Sequence, residues 1–275
     1  MPGTLYVVAT PLGNLGDISP RAAETLRRVA AVAAEDTRHT RPLLAHVGSS
    51  ADLVSVHAHS PVAAIQRVMR RLEAGQDVAL VTDAGTPAIS DPGAALVAAA
   101  RAQNLPVVTV PGPSAVAAAL AVSGLNADRY LFLGFLPRKG AERKRLLAII
   151  ARSEWTVVVF ESPNRTADLL DDVAGACGGA RPAVVARELT KLYEETRDGT
   201  LTDLAGYYRA TPPRGEVTVM IAGTGMPPRD APPPDPEARA RAWLADGMSR
   251  RDVANRVADE TGISRNSAYR LVNEL

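Results

Sequence analysis

The segment Val78–Gly93, VALVTDAGTPAISDPG, decides the fold. Its first four residues, Val78–Val81, are apolar and read as a buried strand, and Gly93–Gln103 has the spacing of a helix. Between them Thr82–Gly93 holds two Asp, two Gly, two Pro and three hydroxyl residues. A plain turn needs one or two such residues, so this loop is built around a ligand. Asp83, at the carboxyl end of the strand, suits a ribose or an amine as a hydrogen-bond acceptor. Asp91 reads alternatively as a cap for the following helix.

The same texture extends to both sides. Leu5–Ala9, Ala31–Ala34, Leu53–Val56 and Val107–Val110 read as strands, and Pro20–Val29, Arg41–His46 and Ala63–Glu73 as helices. Strands alternating with helices make βαβ units and a largely parallel sheet, which gathers ligands at the carboxyl ends of its strands. Beyond Pro111-Gly112-Pro113 the strand candidates are Tyr130–Leu133, Thr156–Phe160, Ala183–Glu188, Tyr193–Arg197 and Glu216–Ala222, with a helix from Ala115. The short link from Glu188 to Tyr193 reads as a hairpin, hence an antiparallel component. The expected fold is α/β with two domains, 1–112 and 113–223, a linker at 224–236 and a helix-turn-helix tail at 237–275. The linker carries six prolines between Pro227 and Pro236. In the tail, Ser249 caps Arg250–Glu260, Thr261-Gly262-Ile263 turns, and Ser264 caps Arg265–Asn273.

The chain has 275 residues, with 31 Lys+Arg against 30 Asp+Glu. That balance excludes a uniformly basic nucleic-acid binder but allows a local patch. The tail, with seven Arg against six acids, is a poor electrostatic footprint for binding DNA by itself. A single cysteine, Cys177, excludes an internal disulfide framework and fits a reducing compartment. No charged-then-apolar leader follows Met1, and the longest nearly apolar stretch, Ala94–Ala100, is too short to cross a bilayer. These observations lead to the expectation of a soluble cytoplasmic protein.

Six other stretches carry chemistry. Thr10–Gly16, TPLGNLG, follows the first strand, and Glu35-Asp36 lies about 20 residues further on, as in dinucleotide-binding units. The loop has G-x-x-G rather than G-x-G-x-x-G, and Pro11 removes an amide donor, so that reading fails. Val110–Ala115, VPGPSA, puts small residues at the domain junction, where Ser114 either caps a helix or leaves room for a ligand. Glu35–Thr40, EDTRHT, crowds polar side chains at a strand's end, with Asp36 and Arg38 either paired as scaffold or contacting substrate. Glu161–Arg165 (ESPNR) and Arg187–Lys191 (RELTK) follow strands of the second domain and can face the same cleft. Arg138–Arg145, RKGAERKR, carries a net charge of +4, which suits a phosphate track. The four histidines (His39, His46, His57 and His59) and Cys177 show no metal spacing, so no metal is expected.

Taken together, YVVATPLGNLGDIS, AAEDTRHT, LVTDAGTPAISDPG, VPGPSA, GFLPRKG, VFESPNR and ARELTKLYEE resemble the tetrapyrrole methylase superfamily. Within it they are similar to the bacterial enzymes that 2′-O-methylate a cytidine of 16S rRNA. The resemblance covers residues 4–223, and the tail also has a counterpart in family members. It implies S-adenosylmethionine bound between two α/β domains by Thr10, Pro11, Leu12, Gly13 and Asn14, by Asp83, Gly85 and Thr86, and by Ser114 and Ala115. It also points to RNA contacts at Arg38, His39, Arg138, Lys139, Arg143, Lys144, Arg145 and Arg165. The further implications are a homodimer acting on the assembled small ribosomal subunit, with no membrane partner.

Methyl transfer to a hydroxyl needs in-line positioning and removal of a proton. The base can be a carboxylate (Glu161, Glu188 or Asp36) or a lysine depressed by neighbours such as Arg187. Lys191, one of only three lysines, is the first choice. Two rivals remain at this stage: a tetrapyrrole or diphthine methylase of the same fold, and a ligand-sensing DNA-binding regulator.

Overall fold

Small side chains and strict alternation organise the first sheet. It comprises β1 (Leu5–Val8), β2 (Ala31–Ala34), β3 (Asp52–Ser55), β4 (Val78–Leu80) and β5 (Val107–Val110). In the computed structural model, which describes residues 1–56, 62–225, 235–261 and 263–275, these strands are all parallel, in the order β3-β2-β4-β1-β5. Every residue of β2 is buried, but its side chains serve two cores. Val32 and Ala34 pack with Leu26 of α1 (Pro20–Arg28) and Leu44 of α2 (Thr37–Val47). Ala31 and Ala33 pack with Leu72 of α3 (Val62–Glu73) and Leu96 of α4 (Ala94–Ala102). Both faces are therefore covered by helices, as a parallel sheet requires, and each fully buried leucine contributes about 1.5–3 kcal/mol.

The second sheet is mixed. Its strands are β6 (Tyr130–Phe135), β7 (Thr156–Glu161), β8 (Pro182–Arg187), β9 (Glu195–Thr200) and β10 (Val217–Ile221), in the order β6-β7-β10-β8-β9. Only β6 and β7 pair in parallel. One face packs Val157 and Val159 against α6 (Ala141–Arg152), α7 (Thr166–Cys177) and α8 (Leu201–Ala210). The other face packs Val158 and Met220 against Leu12 and against Val116, Ala119 and Leu120 of α5 (Ala115–Ser123). Leu12 follows β1 and α5 follows β5, so two excursions from the first sheet are buried on the second. The expected boundary near 111–114 falls where β5 passes into α5.

The chain divides into two compact units, Met1–Met226 and Pro227–Leu275. The second holds α9 (Pro236–Ala245), α10 (Arg250–Thr261) and α11 (Arg265–Glu274) around Ala240, Val253, Val257, Ala268 and Val272. Ser264 caps α11, its hydroxyl accepting from the Ser267 N–H at 3.1 Å. Gly262, residues 226–234 of the proline segment, and His57 and His59 lie outside the described residues.

The structure differs from the sequence reading at several elements. α2 begins at Thr37 rather than Arg41, because the Asp36 side chain accepts from the Arg38 N–H and caps the helix. Pro42 lies inside the helix, near the start of the shorter span expected from the sequence. β9 begins at Glu195 rather than Tyr193, because backbone bonds from Lys191 to Glu188 and from Glu194 to Lys191 spend those residues on turns. α6, α7, α8 and α9 were not foreseen, although Leu169, Leu170 and Val173 of α7 are buried at helical spacing.

Candidate functional site

Backbone hydrogen bonds draw together the loops that leave β1, β4 and β5. Thr10 and Gly85 exchange N–H···O bonds of 2.8 and 3.1 Å, and the buried Thr10 hydroxyl donates to the Thr82 carbonyl at 3.1 Å. The Thr86 hydroxyl donates to the Pro113 carbonyl at 3.1 Å. Three motifs far apart in sequence thus form one rigid rim. Ala88 and Ser90 hold φ values of 67° and 60°. A left-handed conformation in such residues costs about 1–3 kcal/mol and marks functional loops.

The rim encloses one side of a cavity of about 630 Å³; the second sheet supplies the other through Phe135, Phe160 to Pro163 and Gly215 to Thr218. That volume suits a small organic ligand. Of the residues assigned to a cofactor by resemblance, Leu12, Asp83, Gly85, Thr86, Ser114 and Ala115 line it. Thr10, Pro11, Gly13 and Asn14 do not: Thr10 braces the rim from beneath, and Asn14 accepts from the Gly16 N–H on an exposed turn. Ser114 stands at the start of α5 without making a side-chain capping bond. Asp91 likewise does not cap α4, which starts after Gly93, and it lines the cavity instead.

Among the described residues the lining carries five carboxylates (Glu35, Asp83, Asp91, Glu161 and Glu216) and no basic side chain. Burial, together with the charges of Glu35, Asp83 and Glu216, pushes the Asp91 carboxyl up to about 6, against a lowering by the Thr82 side chain. Glu161 is 2% exposed. Its Oε1 accepts from the Ser162 N–H at 2.7 Å, and its Oε2 lies 3.1 Å from Arg165 Nη2 as an ion pair, at an angle that makes no hydrogen bond. Phe160 and Phe135 give the cavity an aromatic wall, their ring centroids 5.6 Å apart. The sequence reading assigned no site role to Phe135 and Phe160, although both fall within quoted motifs, GFLPRKG and VFESPNR, nor to Glu216, which lies in none.

Three assignments change once the packing is seen. Lys191 does not have the depressed basicity expected of it. Burial lowers its pKa, but hydrogen bonds from Nζ to Glu188 (2.9 Å) and Glu216 (3.0 Å), with their charges, outweigh this and raise it. It stays an ammonium, lying over Gly13, where any added Cβ would collide with its side chain. Gly215, at φ +77°, is similarly pressed against the Glu188 carboxylate. Asp36 is no base either. Hydrogen bonds from the Arg38 side chain and N–H hold its carboxyl well below the usual carboxylate range. Arg143 is buried, bonding Asp172 Oδ2 at 2.6 and 2.9 Å and the Pro137 carbonyl at 2.9 Å, so it ties α6 to α7 instead of facing RNA.

The rest of the basic run stays outside. Arg138, Lys139 and Lys144 are exposed, and none has an ion-pair partner among the described residues. Arg145 pairs with Glu142 at 2.6 Å yet keeps 62% of its side chain in solvent. Arg38 is paired with Asp36 and 87% exposed. His39 Nδ1 lies 3.0 Å from Asp83 Oδ2, and Arg187 is held by Glu195 at 2.7 Å.

A crevice built at the carboxyl ends of a parallel sheet and closed by a second, mixed sheet defines a two-sheet α/β protein that takes its ligand at the strand ends. Residues 4–205 match the family described as Tetrapyrrole (Corrin/Porphyrin) Methylases, and the chain belongs to that family. A protein named ribosomal RNA small subunit methyltransferase I, from Synechocystis sp., is 44% identical over 276 residues, covering 99% of this chain and 98% of that protein. Among solved structures, a cobalt precorrin-4 methyltransferase superposes with a TM-score of 0.64 at 20% identity, covering 80% of this chain and 94% of that one. A uroporphyrin-III C-methyltransferase from Thermus thermophilus, complexed with S-adenosylhomocysteine, gives 0.58 at 17% identity, covering 79% and 96%.

Proposed function

We propose that this protein transfers a methyl group from S-adenosylmethionine to the ribose 2′-hydroxyl of a cytidine in 16S rRNA of the small ribosomal subunit. The observation that carries the reading is the cavity's charge: among the described residues its lining has five carboxylates, no basic side chain and an aromatic wall. Such a lining favours a ligand with a sulfonium, an ammonium and an adenine, and opposes a polycarboxylate tetrapyrrole. The named relatives and the neighbour complexed with S-adenosylhomocysteine support it.

When bound, S-adenosylmethionine supplies an electrophilic methyl group. Asp83, Gly85, Thr86, Ser114, Ala115 and Leu12 are the residues that would hold it, with Phe135 and Phe160 offering a face for the adenine. Outside the cavity, Arg138, Lys139 and Lys144 would take phosphates. Arg38 and Arg145 are exposed enough to exchange their carboxylates for phosphate.

A regulator reading is weaker. Within the tail, Arg239 and Arg256 pair with Glu260, Arg241 pairs with Glu237, and Arg250 donates to the Val272 carbonyl, so four of its seven arginines are spent internally. The proposal extends to a cytoplasmic homodimer, which light scattering of the purified protein tests. No helix among the described residues is long and apolar enough to cross a membrane.

The function is tested by offering radiolabelled methyl donor with undermethylated small subunits, free 16S rRNA, duplex DNA or a tetrapyrrole. Label is expected in the assembled subunit, in a dinucleotide that resists alkali because its 2′-oxygen is methylated. Label in the tetrapyrrole, or none in any acceptor, overturns the reading.

A further inference from the structure

The reaction needs a group that accepts the hydroxyl proton, and the residues first suggested for it are engaged. Asp36 is clamped by Arg38, Lys191 by two carboxylates, and Glu188 by Lys191. Glu161 is 2% exposed, accepts from the Ser162 N–H and lies beside Arg165.

At the edge of the same cavity stands an imidazole of a different kind. His39 lies in the first turn of α2, which Asp36 caps. Its Nδ1 is 3.0 Å from Asp83 Oδ2, while Asp83 Oδ1 accepts from the Asp36 N–H at 3.3 Å. Asp83 is thereby fixed through both oxygens. A carboxylate acceptor at Nδ1 keeps the proton there and leaves the Nε2 lone pair pointing away from Asp83. The His39 side chain is 69% exposed, so a macromolecule too large for the cavity can still reach Nε2. The neighbouring charges are Asp83 from the loop after β4, and Glu35, Asp36 and Arg38 from its own stretch of chain; His39 makes no other ion pair among the described residues.

We propose that His39, oriented by Asp83, is the base that takes the proton from the acceptor hydroxyl. The assignment rests on the methyl-transfer reading above. His39 Nε2 takes the hydroxyl proton as the ribose oxygen forms its bond to the methyl carbon and the carbon–sulfur bond returns its electron pair to sulfur. The positive charge that leaves the sulfonium reappears on the imidazolium beside the Asp83 carboxylate. Solvent then removes the proton through the exposed face of the ring.

The test is single-turnover methylation of undermethylated subunits against pH, with donor affinity measured by calorimetry. The wild-type rate should rise as the imidazole loses its proton and then level off. His39→Gln should lose about 100-fold or more in rate, lose that ionisation from the profile and keep donor affinity within about 2-fold. Added imidazole should restore part of the rate of His39→Ala. A His39→Gln enzyme that keeps the wild-type profile, whatever its rate, overturns the assignment while leaving the function intact. Loss of donor affinity with the rate shows a structural role and also overturns it. A wild-type protein that methylates no subunit overturns both readings together.

Discussion

Two clusters of charged residues stand at strand ends around the cavity, and they behave differently. After β8, Lys191 sits between Glu188 and Glu216 with Gly13 pressed beneath it, and each charge is answered inside the chain. After β2 and β4, Glu35, Asp83 and Asp91 converge with no lysine or arginine among the cavity's lining residues, and one histidine projects from the edge. Both stretches look equally loaded with chemistry in the sequence. The first closes on itself and orders a loop; the second turns its carboxylates toward the cavity and carries an exposed imidazole. The same contrast divides the basic run, where Arg143 is buried on Asp172 and Lys144 faces solvent.

Breaking the contrast within the basic run should give the largest effect. Replacing Arg138, Lys139 and Lys144 together by alanine should weaken subunit binding about 10–100-fold, and the dependence of log K on log salt should fall by about 2–3 units. Thermal stability should stay within about 0.5 kcal/mol per substitution. Unchanged affinity in filter binding across a salt series would remove the phosphate track. Arg143→Ala should do the opposite: lose about 1–3 kcal/mol in urea unfolding, since the Pro137 carbonyl and Asp172 lose their partner, with subunit affinity retained once folded.

Lys191→Met probes the closed cluster. Removing the ammonium leaves Glu188 and Glu216 facing each other, and stability should fall by about 1 kcal/mol. The pH profile of single-turnover methylation should keep its shape, in contrast to His39→Gln. A profile that loses its ionisation in Lys191→Met would return the base to the lysine.

The smallest effect is expected at Asp91. A carboxyl raised to about 6 in the folded chain holds its proton more tightly than in the unfolded chain. Folding is therefore favoured at low pH, and that contribution is lost as pH rises through 6. Asp91→Asn should stabilise the protein at pH 7–8 by about 1 kcal/mol, the half-open site screening part of the full shift. It should make little difference at pH 4. Donor affinity at pH 8 should drop, because one negative charge facing the sulfonium is gone. An unaltered Tm difference between pH 4 and pH 8 would count against a strained carboxyl there.

How far the sequence carried the reading depended on the range of the interaction. The parallel sheet was legible because four-residue apolar strands separated by amphipathic helices leave few other arrangements. The loop at 82–93 was legible because its density of turn residues exceeds what a turn needs. α2's true start was not, since the helix begins at Thr37, four residues ahead of Arg41, under a cap from the Asp36 side chain. α6 to α8 were obscured because their helical spacing, such as Leu169, Leu170 and Val173, lies between strongly apolar β-rich runs.

By itself the sequence determined the two kinds of sheet, the loops that would gather at strand ends, and the family to which the chain belongs. These follow from local propensity, period and motif, which neighbouring residues encode together. The tertiary structure alone decided which charges remain available. Whether Lys191 is a base or a strut, whether Arg143 meets solvent or Asp172, and whether His39 meets Asp83 all depend on partners 3 to 44 residues away along the chain. Electrostatic state is set by distance and burial, and these exist only after the chain has folded.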